Sequence, residues 1–333
     1  MHDFRQCPDL EDGRLCSYIP AHNSSCEECD ALLFRGFHLD PNVTLPRRHP
    51  AYQKWIFFET ESPQRTWSHL KNAKSIWNEF NFTVTYAPNA DVQYSRFHTL
   101  QCKRVPQQTV ADTDYASTKQ KNATALWLVS NCNDTSGREL YVNELRKYLP
   151  VDVYGGCGLP LPCQQFRREF KLRGGCVRRL MSRYKFYLSF ESSFCDGYLT
   201  EKIWKTFRVN VIPVVMGNAD YRGLLSPDTF IDVRDFGSPK DLADYLHYLD
   251  ENDDAYNAII HNRKSVKCLK VFPGPPHCLV CQHLHEFREK REVLADVADF
   301  WSPSRRCSTP GEFFKGIAED VLKENPQLRG RYV

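Results

Sequence analysis

Thr200-Glu201-Lys202 opens an apolar stretch, Ile203-Trp204, that reads as a helix with Thr200 as its N-cap. A helix start explains the threonine and the glutamate. It leaves the lysine over, because a cation in the first helical turn opposes the helix dipole and a bound anion would compensate it. Arg138 stands in an equivalent place, after the apolar run Ala125–Val129. Alone it reads as a solvated arginine. Paired with Lys202, it could bracket a diphosphate by charge. Glu59 and Glu61 follow the strand-like run Trp55–Phe58, at a spacing that puts both on one face of an extended chain. A carboxylate ending an apolar strand is a candidate general base; an exposed loop pair is the plainer reading. The aromatics Trp55, Phe57, Phe58 and Trp67 have faces to stack on sugar rings, although core packing accounts for most of them.

Three other clusters have a bland alternative. Asp112-Thr113-Asp114 has the spacing that holds a divalent cation against a nucleotide-sugar, but it lies in a polar stretch rather than after a strand. Cys26-x-x-Cys29 and Cys278-x-x-Cys281 resemble two halves of a zinc site, with His283 and His285 beside the second. Disulfides would instead account for all 14 cysteines at once. Residues 167–185 carry eight basic side chains against Glu169 alone, which suits either RNA or a solvated basic helix; no nucleic-acid motif accompanies them.

The elements that must position these residues come from a chain of 333 residues, long enough for two cores. Forty-four basic against 41 acidic side chains leave +3, so no global field recruits nucleic acid or anionic lipid. In the first half, Ala31–Phe34 and Trp55–Phe58 read as strands, and Ser62-Pro63 ends the second. Residues 101–121 lack apolar periodicity and read as a linker. The second half alternates: strands at Ala125–Val129, Val151–Tyr154, Phe186–Phe190, Val209–Met216 and Phe230–Val233, with helices between. Ser238-Pro239-Lys240-Asp241 supplies an N-cap, a proline at N1 and an acid at N3. The alternation predicts a doubly wound parallel sheet, with ligands at the carboxyl ends of its strands. Three segments fall there: 130–138, 191–202 and 217–221. None carries a glycine-rich phosphate motif, so side-chain cations would do that work.

Five N-x-[ST] sequons, at Asn23, Asn42, Asn81, Asn122 and Asn133, exceed the roughly two expected by chance. With the even cysteine count they point to the oxidising secretory pathway. The start, Met1 to Cys7, has no apolar leader region, and no stretch reaches 18 apolar residues. Either a leader or anchor has been removed from this N-terminus, or the compartment reading is wrong.

The stretch from Tyr184 to Lys202, YKFYLSFESSFCDGYLTEK, closely resembles the signature of the α1,3-fucosyltransferases. Other landmarks appear in order: Trp55-Ile56 leading to Glu61-Ser62-Pro63, Val129-Ser130-Asn131-Cys132, Val151 to Cys157, Ile212 to Gly217, Asp235 to Pro239, and the late C-x-x-C. The resemblance runs from about residue 5 to 290. The SNC and VDVYGGCG segments look most like invertebrate and plant members, including those that fucosylate the N-glycan core. Ser192 stands where the family has asparagine, and Gly197 where it has an acid.

The resemblance implies a GT-B fold of two Rossmann-like domains facing across a cleft: an acceptor-side domain over 1–118, a GDP-fucose domain over 119–265, and a segment over 266–333 returning toward the first. It implies transfer of fucose from GDP-fucose to the 3-hydroxyl of N-acetylglucosamine in glycoprotein glycans, with inversion and without a bound metal. Glu61 matches the family's proposed base, and Arg138 and Lys202 match the cations on the departing diphosphate. Tyr198 and Glu201 match donor contacts, and Glu191 and Ser192 are further candidates on the donor side. The D-x-D has no role in such enzymes. The cysteines become Golgi-lumen disulfides, several tying the first thirty residues to the Cys268–Cys281 region across the domains. The expected partners are the donor and a glycan acceptor, with no nucleic acid and no membrane contact by these residues. The alternative is an inactive GDP-sugar- or glycan-binding module of the same fold.

Overall fold

Apolar runs too continuous for a half-exposed strand become strands buried on both faces, the condition for parallel sheets covered by helices. The computed structural model describes residues 16–18, 28–39, 46, 48, 52–94, 100–105, 113–120, 125–132, 134–163, 170–270, 277–289, 293–294 and 296–330. The chain divides into two units, one of residues 1–101, 195–197 and 269–307, the other of residues 102–194, 198–268 and 308–333.

In the first unit, β1 (Ala31–Arg35), β2 (Lys54–Glu59), β3 (Phe82–Thr85) and β4 (Val92–Gln93) pair in parallel in that order, with α1 (Pro63–Leu70) connecting β2 to β3. Ile56, Phe57 and Val84 are fully buried. β2 stops at Glu59 because its carboxylate accepts the Thr60 and Glu61 backbone N–H groups and turns the chain out of the ladder. Ser62 then caps α1 by accepting from Arg65 N, and Pro63 takes the first helical position. Glu61 therefore lies on the turn, and the expected shared face with Glu59 does not form. The sequon at Asn81 is used structurally: its side chain accepts the Trp55 N–H at 2.8 Å. The other four sequons lie outside the described residues.

The expected linker is in part a strand. β5 (Leu100–Arg104) pairs with a later strand, its alternating polar residues having hidden it. The core sheet of the second unit follows: β6 (Ala125–Val129), α2 (Arg138–Leu145), β7 (Val151–Gly155), α3 (Phe170–Met181), β8 (Phe186–Phe190), α4 (Glu201–Thr206), β9 (Ile212–Met216), α5 (Tyr221–Leu224) and β10 (Ile231–Asp232). Helices α6 (Pro239–Glu251) and α7 (Asp253–Lys264) precede β11 (Val266–Lys270), the partner of β5, and Cys102–Cys268 bonds those two strands. The five core strands run parallel in the order β10-β9-β8-β6-β7. The order reverses between β6 and β8, which makes that gap the topological switch point. Ser238 caps α6 as its sequence predicts. On α3, Arg178 and Arg179 face solvent, as in a solvated basic helix.

Past β11, α8 (His277–Glu286), α9 (Val297–Trp301) and α10 (Pro303–Arg306) belong to the first unit. Trp301 is fully buried there, edge-on to Phe57 and donating to Thr66 Oγ1. Helices α11 (Pro310–Phe314) and α12 (Glu319–Glu324) belong to the second, where Phe313, Phe314, Val321 and Leu322 join the core of the β6–β10 sheet. Among the described residues no helix is long and apolar enough to cross a membrane.

Candidate active site

Carboxyl ends of β6, β8 and β9 meet at the switch point, and the residues singled out in the second unit gather there. Arg138, the first residue of α2, is 3% exposed. Its Nη1 donates to Phe190 O at the end of β8 (2.9 Å) and its Nη2 to Asn131 O (3.0 Å). One guanidinium thus ties the loop after β6 to the end of β8. Asp134 pairs with it at 2.7 Å, and the Trp127 ring lies 5.6 Å away. The solvated-arginine reading does not hold: this is a buried cation, which is stable only when paired and hydrogen-bonded. Burial and the Asp134 charge push the neighbouring Glu139 carboxyl up to about 7.

Glu191, the residue after β8, is 1% exposed, and its backbone N–H donates to Met216 O at the end of β9. Its carboxylate accepts from Thr200 N and Oγ1 and from Lys202 Nζ. This corrects two expectations for α4. The Thr200 side chain makes no capping bond, since its hydroxyl is bonded to Glu191. The unexplained cation of the first turn, Lys202, is balanced by the Glu191 carboxylate at 2.7 Å rather than by a required anion. Lys202 remains partly open, with 18% of its side chain exposed. Glu201 is mostly exposed and pairs with Lys205. Burial would raise its carboxyl, but the Lys205 and Lys202 ammoniums hold it down at about 2. Ser192 is half-buried, and Tyr198 is buried at 4% exposure.

In the first unit, the candidate carboxylates separate by role. Glu59 is fully buried and accepts from the Phe37, Thr60 and Glu61 backbones, with Arg35 at 3.9 Å. Burial raises its pKa against those hydrogen bonds. It is a brace. Glu61 is the accessible one, 31% exposed and 3.6 Å from Arg65. The aromatics divide likewise: Trp55 and Phe57 are core, while half-buried Trp67 stacks on Trp77.

The metal readings end in sulfur–sulfur bonds. Cys281 is bonded to Cys16, and Cys29 and Cys278 are also in disulfides, so among the described residues no thiolate is left there for zinc; His285 lies 3.8 Å from Cys16 Sγ. Cys16–Cys281 makes a tie from the first thirty residues, but within the first unit rather than across the domains as expected, and Cys268 takes Cys102. The other described pairs are Cys132–Cys157, Cys163–Cys176 and Cys195–Cys307. Cys7, Cys26 and Asp112 lie outside the described residues. Asp114 accepts from the Ser117 backbone and from Asn257.

Sequence signals for Glu191 as a partner of Lys202 and for Asp134 as a partner of Arg138 were weak. Only the i, i+4 spacing of Asp134 and Arg138 could have pointed to the second pair.

Residues 118–301 match the glycosyltransferase family 10 (fucosyltransferase) C-terminal model, and residues 1–97 match the fucosyltransferase N-terminal model. A 4-galactosyl-N-acetylglucosaminide 3-alpha-L-fucosyltransferase of Homo sapiens is 31% identical over 89% of this chain and 75% of its own. Glycoprotein 3-alpha-L-fucosyltransferase A of Drosophila melanogaster is 30% identical over 92% of this chain and 58% of its own. A solved α1,3-fucosyltransferase with GDP aligns over 72% of this chain and 71% of its own, at 18% identity and a TM-score of 0.40. Matched by both family models and by relatives across most of its length, the chain belongs to glycosyltransferase family 10, the fucosyltransferases.

Proposed function

We propose that this fucosyltransferase moves L-fucose from GDP-fucose to the 3-hydroxyl of N-acetylglucosamine in glycoprotein glycans, with inversion at the fucose carbon. The observation that carries the donor half is the pair of cations at the switch point, Arg138 and Lys202, each set by a buried or near-buried carboxylate. As the bond between the fucose C1 and the diphosphate oxygen breaks, negative charge grows on GDP, and these two cations stabilise it electrostatically. Tyr198, Glu201 and Ser192 line the same signature segment as donor contacts. Glu61 supplies the base: it takes the proton from the 3-hydroxyl as that oxygen attacks C1 from the face opposite GDP. Its exposure and its freedom from the backbone bonds that hold Glu59 support that choice. The positive charge comes from side chains, so no divalent metal is needed for donor binding. Acceptor recognition belongs with the first unit, and the disulfides suit the oxidising Golgi lumen.

The test offers GDP-fucose with a core chitobiose glycopeptide and, separately, an N-acetyllactosamine glycan. Transfer to at least one is expected, in EDTA as well as without it. Glu61→Gln should retain GDP binding and lose transfer by roughly 100-fold or more, since general-base catalysis contributes about 10²–10⁴-fold. Full transfer by a folded Glu61→Gln removes the base assignment. Loss of GDP binding in EDTA removes the metal-free reading.

A further inference from the structure

Glu191 makes more bonds than its place in the fold requires. A strand-end carboxylate needs water or one or two donors; this one, 1% exposed, takes the Thr200 N–H at 3.0 Å, the Thr200 hydroxyl at 3.0 and 2.8 Å, and the Lys202 ammonium at 2.7 Å. Thr200 Oγ1 lies 2.7 Å from the same ammonium, closing a three-membered set. The backing is equally specific. Gly217, just past β9, has no side chain, and a Cβ there would come within 3.1 Å of Glu191 Cγ and 2.5 Å of the Tyr221 hydroxyl. Tyr221 is fully buried, its hydroxyl has no hydrogen-bond partner among the described residues, and Glu191 is among the charges acting on it. The carboxylate thus sits between a wall it cannot retreat into and the cation it holds.

We propose that Glu191 is a positioning residue, which acts on the donor through Lys202 by fixing the ammonium at the switch point before the diphosphate arrives. This rests on the donor-cation reading of Lys202 given above. Lysine is a flexible point charge on a four-carbon stem, and its value to a transition state depends on where it is held. Glu191, Glu201 and Arg138 all act by charge on the buried Tyr187. Of these, Glu201 pairs directly with Lys205 and feels Lys202 only through its charge, and Arg138 pairs with Asp134, so the hydrogen bonds of Lys202 go to Glu191 and Thr200. A direct contact from Glu191 to the nucleoside would require it to give up bonds from two residues.

The test is a double-mutant cycle on kcat/KM for GDP-fucose, with Lys202→Ala, Glu191→Gln and both together. Glu191→Gln alone should lose about 10- to 100-fold, the scale of a catalytic group displaced by about 1 Å. In the Lys202→Ala background, the second substitution should cost less than threefold, about 0.65 kcal/mol. Acylation of Lys202 by an amine-directed reagent, followed by mass spectrometry, should run several-fold faster in Glu191→Gln than in the parent. A merely structural role would not move that reactivity selectively relative to Lys205. Fully additive losses with unchanged labelling overturn the proposal. If Lys202→Ala alone leaves kcat/KM unchanged, the donor-cation reading fails and this proposal falls with it. Should Glu191→Gln fail to fold, Thr200→Val makes the same test, because that hydroxyl serves the pair and caps nothing. Its loss is expected to be smaller and likewise absent without Lys202.

Discussion

Arg138 carries its charge between two carboxylates, Asp134 at 2.7 Å and Glu139 at 3.9 Å. Two acids so near one another in a buried setting are not ionised with equal ease, and Glu139 is the one that yields: burial and then the Asp134 charge raise its carboxyl from about 4.5 to about 7. An acid raised in the folded state binds its proton more tightly there than in the unfolded chain. Folding stability from this group is therefore full below pH 4.5 and is lost as pH rises toward 7. We expect the difference in Tm between pH 5 and pH 7.5 to shrink in Glu139→Gln, which cannot ionise, and thermal melts across that range read it. A parent and variant with parallel pH profiles would remove the assignment. Glu59 and Glu61 show a similar division in the other unit, one acid spent on three backbone N–H groups and one partly exposed beside Arg65.

At the level of elements, the switch point depends on strands that end together, and Gly155 lets two of them do so. At the end of β7 it adopts φ +118°, and a Cβ there would lie 2.1 Å from Val129 O at the end of β6. No flexible side chain is available to move; the clash is with backbone. Gly155→Ala should therefore cost about 3 kcal/mol or more, strain and overpacking together, measured by urea unfolding. Because β6 leads into the loop that ends at Arg138, GDP affinity should fall with it. A change under 1 kcal/mol would mean that the strand ends are free to adjust. The same elements show what was legible beforehand. Ala125–Val129, Val151–Tyr154 and Phe186–Phe190 announce themselves because parallel strands buried on both faces need unbroken apolar runs. β3 was hidden by its threonines, Phe82-Thr83-Val84-Thr85, all buried in the sheet, and β5 by its polar residues. Thr200 was legible as a helix start but not as the holder of Glu191, because a hydroxyl's choice between its own backbone and a neighbouring carboxylate is made by tertiary structure. The two cations were singled out by their positions after strands, although Arg138 alone read as solvated. Their carboxylate partners were not legible as partners, since one of them lies eleven residues away across a loop.

On the scale of the whole molecule, the signature segment crosses from one unit to the other and back: Phe194 and Tyr198 belong to the second unit, and Cys195 to Gly197 between them belong to the first. Those three residues are fastened within the first unit. Cys195 is bonded to Cys307 and bridges it as a strand partner, and Asp196 N donates to Arg306 O at 2.7 Å. On both sides the chain is held in the second unit, where Phe194 stacks on Phe313 and Thr200 and Lys202 bond Glu191. The disulfide closes a loop of 112 residues, which the chain-entropy model rates at about 4–5 kcal/mol, with measured values for native bonds of about 2–5. Much of that stability has substitutes, because the Phe194 and Glu191 contacts remain when the sulfur bond is gone. The position of the segment has fewer. Cys195→Ser with Cys307→Ser should therefore lower stability by about 2–3 kcal/mol, and should lower kcat/KM for GDP-fucose by roughly tenfold at temperatures where the variant is fully folded. Circular dichroism melts give the first number and steady-state kinetics the second. Equal loss of activity and folded fraction would make this bond a staple alone; activity lost ahead of folding would make it part of the donor-site scaffold.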